Sequence, residues 1–155
     1  MSHFLKTTRN NLLHPLQAVA NIVEKRHTLP ILSNVLLEKS GENLTLTATD
    51  ADIQVKTSTA GEIGGENGEI TANARKLLDI LRALPETADV QLSLEANRMS
   101  IRAGKARFTL QTLPATDYPR MKIEAENAAR IHTSQQTFKA LLDQVAYAMA
   151  QQDIR

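Results

Sequence analysis

The sequence has 155 residues, in which 18 Lys and Arg balance 17 Asp and Glu to a net charge of +1. It contains no cysteine, which excludes disulfides, zinc–thiolate sites and cysteine nucleophiles. No run approaches the ~20 apolar residues that cross a bilayer, so we expect a cytoplasmic protein without a membrane partner. The near-neutral charge and 3% aromatic content argue against a strongly basic DNA reader and a stacking platform for single strands.

The first half of the chain predicts one helix followed by strands. Apolar residues recur at helical spacing from Thr8 to Glu24, with Pro15 inside the pattern. We therefore expect a kink at Pro15 or a regular helix that begins near it. Strands are predicted from period-two alternation around 35–38, 44–48, 53–55 and 69–71.

The second half predicts another helix and three more strands. Asn73 is a plausible N-cap for a helix from Ala74 to Leu84, which Pro85 ends. Turns at 96–97 and 104–105 separate the strands that follow. These strands are predicted at Val90 to Leu94, Met99 to Arg102 and Arg107 to Gln111.

After residue 125 the N-terminal pattern starts again. The segment HTSQQTFKALLDQVAYAMAQQ resembles KTTRNNLLHPLQAVANIVEKR when Lys6 is paired with His132. Apolar stripes alone match between any two amphipathic helices, but here the polar lead-in and the exit match as well. A repeat of roughly 125 residues indicates a duplicated domain. We expect one domain over 1–125 and the start of a second over 126–155, which ends after its first helix.

Motifs for catalysis and metal binding are weak. Asp50 and Asp52 lack a third carboxylate and a calcium-loop spacing, so a turn stabilised by Asp side chains is the better interpretation. The segment GEIGGENGE lacks the Gly-Lys-Ser/Thr ending of a phosphate loop and is predicted to be an exposed loop. The four histidines show no i, i+4 pairing. We expect a protein that is not an enzyme and has no metal or cofactor.

Basic residues fall at two kinds of position. Lys25 and Arg26 end the first helix, and Arg75 and Lys76 begin the second. A second group lies on the last hairpin: Arg98, Arg102, Lys105 and Arg107. A solvated surface is one interpretation. The alternative is a pair of functions, with the helix charges binding phosphates and the hairpin meeting an acidic partner.

Five segments in order carry a family resemblance. They are LLHPLQAV, KRHTLPILSNVLLE, LTLTATDADI, ANARKLLDILRALPE and RMSIRAGKARFTLQTLPATDYP. Together they resemble the β subunit of bacterial DNA polymerase III, the replicative sliding clamp, over essentially the whole chain. The resemblance implies an α+β DNA-clamp fold with two helices packed on two antiparallel four-stranded β-sheets, plus the first helix of a second copy.

The resemblance also implies a function and its residues. A clamp encircles duplex DNA as a head-to-tail ring and tethers the polymerase, so phosphate contacts without base readout suffice. Matching positions imply that Arg26 and Gln152 contact DNA, with Arg75 and Lys25 as further candidates. The family often has Gly-Gly before this arginine and Pro after it, whereas here Glu24 and Lys25 precede Arg26 and His27 follows it.

The remaining implied sites concern protein partners. Matching positions imply a subunit interface at Lys76, Arg98, Lys105, Arg107 and Leu110, which would meet acidic groups of a second subunit. Lys105 replaces an arginine and so loses the bidentate fork. Arg155 is implied at the edge of a pocket for peptides of the polymerase core and the clamp loader. The rival hypothesis is an interaction domain or small enzyme built from a duplicated αβ unit.

Overall fold

The structure is a computed structural model that describes residues 2–23, 29–60, 64–121 and 131–148. The chain forms two compact units, 1–121 and 122–155. The first contains eight strands, two α-helices and two short 3-10 helices, Pro30–Ser33 and Ala115–Asp117, among its described residues. The strands are β1 (Ser2–Thr8), β2 (Asn34–Ser40), β3 (Asn43–Thr49), β4 (Gln54–Ala60), β5 (Gly68–Asn73), β6 (Asp89–Glu95), β7 (Arg98–Ala103) and β8 (Ala106–Leu113).

The strands form two antiparallel four-stranded halves that join into one sheet. The order across the sheet is β1-β6-β7-β8-β5-β2-β3-β4. The two halves meet at a short ladder in which Thr71 pairs with Leu113 and Ala72 with Thr112. The α+β class and the two four-stranded halves predicted above are confirmed, with this junction as an addition.

Helices α1 (Arg9–Ala20) and α2 (Ala74–Ala83) pack over the inner face of the sheet. The Thr8 side chain caps α1 by accepting from the Asn11 N–H at 3.3 Å, and the Asn73 side chain caps α2 by accepting from the Lys76 N–H at 3.0 Å. Pro15 lies inside α1, which begins six residues before it rather than near it. The predicted cap and start of α2 are confirmed.

Alternation along the strands places the core between helices and sheet. Seven of the strands carry on one face apolar side chains that are fully or nearly fully buried together with the apolar stripes of both helices, and β4 contributes the partly buried Val55. Burial of this surface is the main favourable term in folding, at roughly 25 cal/mol per Å² of apolar area. The opposite face carries polar and charged side chains.

Two predictions about strands were wrong. β1 was missed: its register shifts between His3 and Leu5, so that Phe4 and Leu5 are both buried and the period of two is broken. Ile53 was predicted in a strand, but it is 56% exposed and precedes β4. Its backbone instead closes the Asp50 turn, in which the Asp50 carboxylate accepts from the Ile53 N–H at 2.7 Å.

The segment after β8 returns over the outer face of β2 and β3. Tyr118 is 3% exposed and packs against Leu36 and Ala115. Its hydroxyl donates to the backbone carbonyls of Asn34 and Thr47. Arg120 then bridges Glu38 and Glu69, which lie directly opposite each other on β2 and β5.

The second compact unit contains one described helix, α3 (Gln135–Ala146). It has the same length as α1, and the register that pairs Lys6 with His132 also pairs Arg9 with Gln135 and Ala20 with Ala146. Ser134 caps α3 by accepting from the Thr137 N–H at 3.1 Å, in the place that Thr8 has before α1. The sequence repeat therefore corresponds to two helices of equal length, which begin and end at equivalent positions of the repeat and have equivalent caps.

Candidate functional site

The first candidate surface is formed by the two helices of the 1–121 unit. The helices run antiparallel, because the Arg9 guanidinium at the start of α1 donates to the Leu81 carbonyl near the end of α2 at 2.9 Å. This contact also places a cation at the C-terminus of α2, where the helix dipole favours it. At the other end, Asn21 after α1 lies next to Arg75 at the start of α2.

A depression of about 180 Å³ lies between these helix ends. Arg75, Asp79 and Arg82 line one side of it, at i, i+4 and i+7 on the exposed face of α2. No ion pair engages either arginine within the described ranges. The depression therefore presents two guanidinium groups that are in no such ion pair, beside the carboxylate of Asp79, and guanidinium groups are suited to phosphate oxygens.

The second candidate surface is the outer face of the β7–β8 hairpin. Arg102 and Arg107 lie directly opposite each other on neighbouring strands, and Arg98 lies opposite Gln111. All three arginines are exposed, as is Lys105 in the turn between the strands. Like charges directly opposite destabilise a sheet, and no acidic side chain forms an ion pair with them in the described part of the chain. An acidic partner would relieve this repulsion.

β8 also has an open edge. It pairs with β7 along its length, but with β5 only at Thr112 and Leu113. Among the described residues, no strand lies on the other side of 106–111. Such an edge offers unpaired backbone N–H and C=O groups to a strand of another chain.

A cavity of about 350 Å³ lies where β8 meets β2, β5 and the start of α2. Lys76 and Leu110 both line it, so the structure brings together two residues predicted at the subunit interface. Leu110 is only 7% exposed and also belongs to the core, whereas Lys76 is exposed. The cavity gives a partner access to Leu110.

Four predicted site residues lie outside the described ranges. They are Lys25, Arg26, Gln152 and Arg155. Their predicted contacts with DNA and with partner peptides stay predictions. Arg75 is the one predicted DNA-binding residue that the structure describes.

The structure adds two residues to the predicted sets. Arg82 shares the depression with Arg75, and its spacing of seven residues on a helix was a signal available in the sequence. Arg102 pairs with Arg107, a relationship that requires the register of the hairpin. The hairpin group that the sequence predicts to meet an acidic partner includes Arg102, whereas the interface residues implied by the family resemblance do not.

The described residues contain no group of three or more His, Asp or Glu side chains arranged to hold a metal ion. No helix within those ranges has the length and apolarity needed to cross a membrane. Cations, an open strand edge and a cavity are thus the features that these surfaces offer to a partner.

Comparison with known proteins identifies the family. A family model described as the DNA polymerase III beta subunit, N-terminal domain, matches residues 3–122. The beta sliding clamp of Pseudomonas aeruginosa is 44% identical over 147 residues, which are 95% of this chain and 40% of that protein. The beta sliding clamp of Escherichia coli strain K12 is 40% identical over 147 residues, which are again 95% of this chain and 40% of that protein.

Solved structures agree. The crystal structure of the DNA polymerase III subunit beta from Pseudomonas aeruginosa superimposes with a TM-score of 0.90 at 43% identity, covering 99% of this chain and 41% of that one. The beta sliding clamp from Caulobacter crescentus gives a TM-score of 0.89 at 38% identity, covering 99% and 41%. The fold is therefore that of sliding-clamp structures. The chain belongs to the DNA polymerase III beta subunit family, and it spans about 40% of the length of the curated relatives it matches.

Proposed function

We propose that the chain is part of a sliding clamp, a non-catalytic processivity factor that encircles duplex DNA and tethers the replicative polymerase. The observation that carries the proposal is the 44% identity to a beta sliding clamp over 95% of the chain. A clamp holds DNA by topology, so it needs few phosphate contacts and no base readout. The net charge of +1 is compatible with that function, provided the cations lie where the DNA passes.

The helix face is the surface that we assign to DNA. Arg75 and Arg82 are exposed there without ion-pair partners among the described residues. Lys25 and Arg26 follow α1 in the sequence, and Gln152 occupies the position of Arg26 in the repeat. These groups contact phosphates directly or through water, which leaves the clamp free to slide.

The β8 edge is the surface that we assign to the second subunit of a head-to-tail homodimer. Its backbone adds to a strand of the partner, and Lys76, Arg98, Lys105 and Arg107 face acidic side chains there. Leu110 contributes the apolar floor of the adjoining cavity. Arg102 belongs to the same positive face, since it lies opposite Arg107.

The helix α3 is, in this proposal, the first helix of a second clamp domain. Its equal bounds and equivalent cap relative to α1 support this assignment. The domains are then 1–125 and the start of the next at 126–155. The polymerase III core and the clamp loader bind a pocket that Arg155 borders, and the assembly works on DNA in the cytoplasm.

Binding of this chain to duplex DNA tests the assignment of the helix face. We expect weak, sequence-independent binding whose logarithm falls linearly with the logarithm of salt concentration. Each phosphate contact contributes about 0.9 to that slope. The variants Arg75→Ala and Arg82→Ala should therefore each reduce the magnitude of that slope by up to about 1. Fluorescence anisotropy of a labelled duplex at several salt concentrations measures it.

Lys56→Ala is the matched control, because Lys56 is an exposed cation on β4, on the sheet rather than on the helix face. Its salt slope should equal that of the unmodified chain. Equal slopes for all three variants would contradict the assignment of the helix face to DNA.

A further inference from the structure

The outer side of β1 is covered by backbone rather than by another strand. β1 is the terminal strand of the sheet and pairs on one side with β6. On its other side, Lys6 and Gly64 exchange two backbone hydrogen bonds at 2.9 and 2.8 Å. The Glu66 N–H donates to the His3 carbonyl at 2.8 Å. Residues 64–67, called the strap below, thus satisfy groups that an edge strand would otherwise expose.

A buried lysine holds the strap in place. Lys39 on β2 is only 5% exposed, and its ammonium donates to the Gly65 carbonyl at 2.9 Å and the Gly41 carbonyl at 2.8 Å. No acidic group pairs with Lys39 within the described ranges. A buried charge is costly without polar partners, so these two carbonyls fix where the ammonium lies. Lys39 therefore ties the strap to the β2–β3 turn.

A second contact ties the same two segments. The Asn67 side-chain oxygen accepts from the Gly41 N–H at 2.8 Å. The strap and the turn are therefore joined at both Gly65 and Asn67.

The strap lies so close to β1 that one position requires glycine. Gly65 has φ of +112°, in the region that side chains disfavour. A Cβ on Gly65 would lie 2.5 Å from the Phe4 carbonyl oxygen. Alanine at this position would therefore have to move the strap away from β1.

We propose that the strap, held by Lys39, closes the β1 edge against strand addition by a second copy of this chain. An uncovered edge strand is a template for pairing, and proteins block such edges with loops. In the same four-stranded half, residues 106–111 of β8 have no second strand among the described residues. Within this half, closure of β1 leaves residues 106–111 as the uncovered edge among the described residues. The inference rests on the hydrogen bonds of the strap and not on the function proposed above.

Lys39→Met in the 155-residue chain tests the proposal, with Lys56→Met on β4 as the control that removes an exposed lysine. Methionine keeps the apolar stem of the side chain, so the core around it stays filled. We expect the Lys6, Gly64 and Glu66 amides to exchange hydrogen at least about tenfold faster in dilute Lys39→Met, a loss of about 1.4 kcal/mol of protection. As the concentration rises, sedimentation should show a dimer, and the Lys6 amide should become protected again.

Two further variants keep the test decisive. Gly65→Ala should give the same faster exchange by displacing the strap, and Lys39→Arg should retain protection because it keeps the donors. The proposal is overturned if Lys39→Met and Gly65→Ala both leave the Lys6 amide as protected as in the control. It is equally overturned if the exposed edge produces no concentration-dependent association.

Discussion

The hydroxyl of Tyr118 donates to the backbone carbonyl of Asn34 at 3.3 Å, across 84 positions of the sequence. The same hydroxyl lies 3.2 Å from the Thr47 carbonyl, so one side chain joins β2, β3 and the segment after β8. This bond fixes the end of the 1–121 unit on the outer face of its own sheet. Tyr118, which belongs to the TDYP residues of the family resemblance, thus has a structural role.

Tyr118→Phe should lower the free energy of unfolding by about 1 kcal/mol, because two buried carbonyls lose a donor while the ring still fills its site. Urea denaturation followed by circular dichroism measures the change. Phe108→Leu, in a partly buried ring on β8, is a control for altered aromatic packing away from the bond. An unchanged midpoint for Tyr118→Phe would show that the hydroxyl contributes nothing.

The same tyrosine predicts a loss of stability at high pH. Burial raises the pKa of Tyr118 to about 12, above the ordinary value of 10.0. Between these values the native state keeps a proton that the unfolded state has released, so stability falls as pH rises. The contribution of the protonated Tyr118 hydroxyl to stability is fully present below pH 10 and is lost as pH rises through about 12.

Unfolding free energies of the unmodified chain and Tyr118→Phe, measured from pH 8 to pH 12, isolate this effect. The difference between the two proteins should shrink above pH 10. A constant difference over the whole range would exclude Tyr118 as the source of the loss of stability at high pH.

The cap of α2 gives a third prediction. Asn73→Ala removes the oxygen that accepts from the Lys76 N–H and should cost about 1 kcal/mol of stability. Asn73→Asp keeps an acceptor and should retain most of it. Thermal unfolding of both variants measures the effect, and equal losses would mean that the backbone at residue 73, rather than its side-chain oxygen, matters.

The hairpin cations give a fourth prediction, for the full-length protein. Arg107→Glu should weaken the proposed homodimer at least about tenfold, or 1.4 kcal/mol, because it places a carboxylate against the acidic side chains proposed for the partner. Lys56→Glu makes the same charge change on β4 and should leave the dimer intact. Analytical ultracentrifugation over a dilution series compares them, and equal dissociation constants would contradict the assignment of β8 to the interface.

Local signals predicted much of the fold. Asn73, the leucines that follow it and Pro85 all agree on one helix, and α2 forms where they indicate. β1 was missed because a bulge buries Phe4 and Leu5 together and hides the strand period. The same contrast between local and long-range signals holds for the residues of the candidate site. Arg75 was predicted from its place on a helix, whereas the Arg102–Arg107 pair depends on strand register.

Long-range relationships could not be derived from one sequence. Nothing near Tyr118 indicates that its hydroxyl reaches Asn34, and nothing near Lys39 indicates that it holds Gly65. Both contacts depend on how distant segments meet after the sheet has formed.

Retention on DNA by topology is the property that separates a sliding clamp from any other DNA-binding protein. Full-length protein loaded on a circular duplex should co-elute with it in gel filtration at a salt concentration that abolishes simple phosphate binding. A single cut that linearises the circle should release the protein, because the ring slides off the ends. Equal retention on circular and linear DNA would contradict the proposed function.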